Sequence, residues 1–280
     1  MLWTKKRKNK TKRFRYVRGG KQTLVCPRTV HSSTVSINTE KIKQTLNIEQ
    51  LIDNRNENLW TELNREHSIT VELTDEPHYG VYSINDESTI YVTRNNLNIA
   101  SFTHELLHIQ IRLKEIYFGP SFELLVRESP ELSGIITQQL TEHIGNCMSH
   151  ILMLPTFIEL GFDKKEFIED YDENKCTKKE LQDLKAIYKV RGVYNATAID
   201  FYIAKFIAIK ADPKQHINYP KALSELKKLD TGLYNILEKC VLDWKNMPLT
   251  KENPWDDDHN SISFELFESL CEWTRNKIIV

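Results

Sequence analysis

The sequence predicts an α+β protein in which a small β-sheet precedes a long run of helices. Three observations carry this. Residues 69–93 contain three short runs with strand character, the pattern from Ala100 nearly to the C-terminus is helical, and helix-start signals punctuate that pattern at Ser129 and Thr177. With 40% hydrophobic residues and 280 residues in all, the chain has enough apolar surface for a sizeable core.

The first thirty residues hold eleven basic side chains and no acid, so the net charge of −1 hides an uneven distribution. Residues 31–280 carry 27 basic against 39 acidic groups. Residues 1–30 lack any helical or strand period and read as a flexible basic arm, in which Trp3, Phe14 and Tyr16 interleave with the charges. That composition suits phosphate contacts and base stacking, so nucleic acid is a candidate partner of the arm.

From about Glu40 to Glu66 the spacing is mainly helical, with Ile48, Leu51 and Ile52 at three- and four-residue steps. Ile69, Val71 and Leu73 then alternate as a strand does. Gly80 to Ile84 and Thr89 to Thr93 follow, and Asn85-Asp86 between them marks a hairpin. Downstream, Gly119-Pro120, Pro130, Pro155, Gly161, Gly192, Pro213, Pro220 and Pro254 divide the helical pattern. Ser129-Pro130-Glu131 supplies an N-cap, a proline at the first helical position and an acid in the first turn, and Thr177 to Glu180 forms a capping box.

The longest apolar stretch, Ile151 to Phe162, is broken by Pro155 and Glu159 and falls short of the roughly 20 residues that span a bilayer. No apolar segment follows the basic N-terminus as a signal peptide requires. Five scattered cysteines without a Cys-x-x-Cys pair fit reduced thiols. A cytoplasmic protein with no membrane partner is expected.

Chemistry concentrates at residues 104–108, which read His-Glu-Leu-Leu-His. On a helix, His104 and His108 lie about one turn apart, so both imidazoles can bind one Zn²⁺ while Glu105 stands ready to activate a water. Phe102, Leu106, Ile109 and Leu113 fall on roughly the opposite face, with Ala100, Leu107 and Ile111 flanking the histidines. A buried helix with a polar patch turned to an internal cleft is predicted. A catalytic zinc needs a third protein ligand. In a helix expected to begin at Pro130, Leu140, Ile144, Met148 and Ile151 form an apolar stripe, and Glu142, Asn146 and His150 gather on the other side. Glu142 is the leading third ligand by this reading, with His143 and His150 as rivals.

These residues resemble the ImmA/IrrE family of zinc metallopeptidases. In that family a strand leads into the HExxH helix, and a later helix carries a Glu, an Asn and a closing apolar run ending in Pro. Ile90-Tyr91-Val92, Glu142, Asn146 and Leu152-Met153-Leu154-Pro155 match that arrangement over about residues 69–155, while Leu107, Ile144 and Gly145 depart from it. The resemblance implies a zincin-like core at 31–155 with a helical C-terminal region at 156–280 packed on it. It implies Zn²⁺ held by His104, His108 and Glu142, Glu105 as general base, and hydrolysis of a peptide bond in a specific intracellular protein. The Thr89 to Thr93 strand would be the sheet edge that pairs with an extended substrate. An oxyanion donor is still needed, and His150, His143 and Tyr202 are the candidates, His150 foremost. The contrasting expectations are a catalytically inactive zinc-binding interaction or regulatory module, in which the metal only stiffens the helix pair, and a regulatory protein that contacts nucleic acid through the arm.

Overall fold

The computed structural model describes residues 47–214, 219–247 and 258–280. The basic arm and its nucleic-acid reading lie outside them.

Of the helical stretch expected from about Glu40 to Glu66, the first residues lie outside those described, and the rest forms a 3-10 turn at Ile48–Leu51 and then α1 at Glu57–Glu66. The expected continuous helix is therefore broken between Ile52 and Asn56. The break has a local cause in Asn56. Its buried side chain accepts from the Asp53 N–H (2.9 Å) and donates to the Leu51 carbonyl (2.9 Å) and to Thr103 Oγ1 (2.9 Å), bonds that a helical turn would not allow together.

Three strands follow, β1 (Ser68–Thr74), β2 (Gly80–Ile84) and β3 (Glu87–Thr93). The alternation of Ile69, Val71 and Leu73 turns them toward the core while Ser68, Thr70 and Glu72 are exposed. β2 and β3 form the expected antiparallel hairpin, and Asn85 takes the left-handed turn conformation at φ 50°. β1 pairs parallel with β3, so the sheet order is β1-β3-β2. The expected substrate edge at Thr89 to Thr93 is thus the central strand. β1 pairs along its whole length and β2 along Glu87 to Tyr91, so of the expected edge only Val92 and Thr93 extend past β2, and the sheet edges are β1 and β2.

Helices build the rest: α2 (Ile99–Leu113), α3 (Phe118–Glu128), α4 (Pro130–Ser133), α5 (Gln138–Glu159), α6 (Lys178–Tyr188), α7 (Ala196–Ala211), α8 (Tyr219–Leu229), α9 (Thr231–Asn246) and α10 (Asp258–Thr274). Ser129 caps α4 by accepting from the Leu132 N–H (3.2 Å), and the Thr177 capping box opens α6. Two helix expectations change. The helix that begins at Pro130 ends at Ser133, and α5 starts afresh with Thr137 as its N-cap. Pro155 does not end α5, which continues to Glu159. A short ribbon absent from the expected pattern, β4 (Lys189–Val190) with β5 (Val193–Tyr194), is joined by the C-terminal residues through a bridge from Tyr194 to Ile279.

The boundary expected at residue 155 falls inside α5, and one apolar cluster runs from Leu51 through the helices to Trp273. α5 is the spine of this arrangement, packing against α2, α3, α7 and α9. Among the described residues no helix is long and apolar enough to cross a membrane.

Candidate metal centre

α2 carries the first two histidines, and its start is fixed at several points. Asn98 caps it by accepting from the Ser101 N–H (2.9 Å). The buried Tyr79 hydroxyl donates to the Asn96 carbonyl (2.9 Å) and accepts from the Asn98 N–H (2.8 Å), which fastens the β3–α2 connection. Thr103, next to His104, is held by Asn56. Phe102, Leu106 and Ile109 are fully buried on the core face, as the apolar stripe predicts. His104 and Glu105 are buried too, at 3% and 2% exposure.

α5 brings the third group. Near its start it crosses α3 with backbones almost touching at Gly119 and Gly145, a contact only glycine pairs make at this range. One and a half turns later the helix passes α2, where Trp244 of α9 donates from Nε1 to the Met148 carbonyl (2.7 Å) and pins this turn. His150 lies there, buried.

Among the described residues, His104, His108 and His150 each offer one ligating nitrogen, and these atoms lie within 4.8 Å of one another. Ring centroids are separated by 5.0 Å (His104 to His108), 4.8 Å (His104 to His150) and 5.5 Å (His108 to His150). Nε2 of His108 and Nε2 of His150 are buried with no hydrogen-bond partner. Buried polar atoms are nearly always paired, so orphaned ring nitrogens on two members of one histidine cluster mark a place for a ligand that accepts lone pairs. Three imidazoles with one position left open are a donor set that zinc takes in catalytic sites.

Burial, then the neighbouring imidazoles, hold His104 and His150 well below the ordinary histidine range, and burial alone brings His108 down to about 4. The neutral ring, which is the ligating form, is the one this environment favours. Burial, and then the charge of Glu169, push Glu105 up to about 8.

Glu142 is not part of this cluster. It is exposed and accepts from Gln138 Nε2 (3.1 Å). The reason is helical geometry: Glu142 and His150 are eight residues apart, roughly 12 Å along the axis and roughly 80° around it, so they cannot serve the same centre. His150 therefore stands among the ligand candidates and not apart from them as an oxyanion donor. The two other donor candidates are engaged elsewhere. His143 faces α7, with Nε2 3.4 Å from the Ala204 carbonyl and 3.7 Å from Cys147 Sγ. The fully buried Tyr202 donates to the Leu226 carbonyl (3.0 Å).

Sequence reasoning missed Phe167. Its ring packs 4.8 Å from that of His104 and 5.3 Å from that of His150, and its backbone is a hydrogen-bond partner of His104. It lies in an acidic connector without periodicity, so no pattern marks it.

Comparison of the chain with protein-family models, with curated proteins and with solved structures finds no match.

Proposed function

We propose that this chain is a zincin-like zinc metallopeptidase that hydrolyses a peptide bond in a protein or peptide substrate. The observation that carries the reading is the convergence of His104, His108 and His150, from two helices distant in sequence, in which His108 and His150 each keep a buried, unpartnered Nε2. A chance HExxH on a buried helix would have its imidazoles satisfied by protein groups. The His-Glu-Leu-Leu-His part of the ImmA/IrrE resemblance supports the same class, while its Glu142 ligand is not part of the cluster.

His104, His108 and His150 would hold the metal. Zinc bound there supplies a Lewis acid that polarises the carbonyl of the scissile bond and a water that is acidic near neutral pH. Glu105 follows His104 directly, on the same turn of α2. Burial by itself favours its neutral form, the charge of a cation held by the three histidines would favour the ionised one, and the carboxylate would then take the proton from the attacking water. It then returns that proton to the leaving amine nitrogen. β2, an antiparallel edge of the sheet beside α2, offers main-chain groups with which an extended substrate can pair.

Zinc analysis of the purified full chain tests the first half of the reading, with about one ion per protein expected. Glu105→Gln tests the second. It should keep the metal and lower cleavage by roughly 10²–10⁴-fold or more, the usual contribution of a positioned proton carrier. A native protein that takes up no zinc would end the proposal, and undiminished cleavage by Glu105→Gln would remove Glu105 from the chemistry.

A further inference from the structure

The connector between α5 and α6 lies against the cluster, and this arrangement deepens the metallopeptidase reading on which it rests. Residues 163–176 leave α5, make one 3-10 turn at Lys164–Glu166 capped by Asp163, and reach α6 at Lys178. Their polar residues face outward, with Asp163, Lys164, Lys165, Glu166, Glu169, Asp172, Glu173 and Asn174 all exposed. Two aromatic residues turn inward. Phe167 is 2% exposed and packs on His104, His150 and Phe157, while Tyr171 is 5% exposed.

We propose that residues 163–176 are an internal strap that closes the approach to the His104/His108/His150 cluster, with Phe167 occupying the place of a substrate side chain until the strap is displaced. A ring seated on two of the three imidazoles and a peptide bond brought to the same centre cannot share that space. The strap also accounts for the burial of His104, Glu105 and His150 in a site that a polymer must enter.

The attachments are of a kind that can release. Glu169 on the strap pairs with His78, two residues before the β2 edge, and both side chains are more than a third exposed. Lys214 reaches Asp172, whose side chain is almost wholly in water. Ion pairs at such positions are weak and screened, in contrast to the buried core beneath. Lys175 bridges Asp170 within the strap (2.6 Å, both largely buried), so the segment keeps its own shape and can lift as a unit. A partner or substrate that binds near His78 and the start of β2 would compete with Glu169 and open the site.

The test uses the full chain and two variants. His78→Ala removes the latch without touching the cluster, and Phe167→Ala removes the plug. Diethylpyrocarbonate modification of His104 and His150, mapped by mass spectrometry on chelator-treated protein, reports access to the cluster independently of activity. Both variants should be modified about five-fold faster or more than the parent, because a larger open fraction exposes the rings. His78→Ala guards against Phe167→Ala failing to fold. Unchanged modification rates in a folded His78→Ala protein would overturn the strap. Hydrolysis of a quenched peptide by the zinc-loaded variants separates the two ideas: faster modification with no hydrolysis keeps the strap and sinks the peptidase, and faster hydrolysis supports both.

Discussion

Gly119 of α3 faces Gly145 of α5 so closely that a Cβ built on either would come within 2.8 to 2.9 Å of the other's α-carbon. This crossing sets the height and rotation of α5, and so decides which of its polar residues meets α2.

Gly145→Ala must push two backbones apart, and overpacking of that kind costs about 1–3 kcal/mol. Gly80 is the natural control. A Cβ there meets nothing within 4 Å, so Gly80→Ala should change stability by no more than about 0.5 kcal/mol. Urea unfolding of the two variants measures the difference. A Gly145→Ala protein as stable as the Gly80→Ala control would mean that the crossing does not govern the packing.

The same crossing separates His150 from Glu142. His150→Ala should weaken zinc affinity by more than the roughly 10–100-fold that loss of a supporting contact costs. Glu142→Ala should leave it unchanged, since that side chain is exposed, bonds Gln138 and is not part of the histidine cluster. Competition against a zinc chelator reads both. The opposite ranking would restore Glu142 as the third ligand and remove His150.

What the sequence made legible was local. Two histidines four apart must share a helix face, and this depends on nothing beyond the helix itself. The hairpin at Asn85 and the caps at Ser129 and Thr177 are local in the same sense. The third ligand was different. Glu142, His143 and His150 share one helix, and the choice among them comes from a glycine contact between residues 26 positions apart in sequence, which no periodicity records. Strand order failed for the same reason. β3 is central because β1 pairs with it in parallel from outside the hairpin, a non-local pairing that alternation cannot reveal. Phe167 carried no signal at all, because its neighbours have no pattern from which it stands out.

Asp200 of α7 is another distant residue that shapes α5. Its Oδ2 accepts from both the Thr137 N–H (3.0 Å) and the Thr137 hydroxyl (2.8 Å), and this is where α5 restarts after α4. Asp200 is 3% exposed but Thr137 is exposed, so Asp200→Ala hands the two Thr137 donors to water and loses two hydrogen bonds to a charged acceptor, at about 1–3 kcal/mol. Asp200→Asn keeps an acceptor oxygen and should recover part of that loss. Thermal unfolding distinguishes them; equal stability of parent and Asp200→Ala would show that water replaces the carboxylate without cost.

His67 gives the fold a dependence on pH that is separate from the metal centre. It follows α1, is 5% exposed, and its Nε2 lies 2.7 Å from Ser88 Oγ on β3, which in turn lies 2.6 Å from Ser83 Oγ on β2. This polar chain ties the end of α1 to two strands of the sheet. Burial lowers the His67 pKa from its ordinary 6.5, Arg112 lowers it further, and Asp86 and Glu87 oppose the shift. In the unfolded chain the ring takes up a proton near its ordinary value, while in the folded protein it does so only at lower pH. The unfolded state therefore binds more protons between the two, and stability falls as the solution is acidified through that window. Above the ordinary value both states are neutral and His67 contributes no slope. The buried cluster histidines act in the same direction, so the contribution of His67 is the difference between parent and His67→Gln, which retains a hydrogen-bonding side chain and does not titrate. Melting temperatures measured from about pH 8 to about pH 5 should fall less steeply in His67→Gln than in the parent. Identical slopes would assign the whole acid sensitivity to other groups.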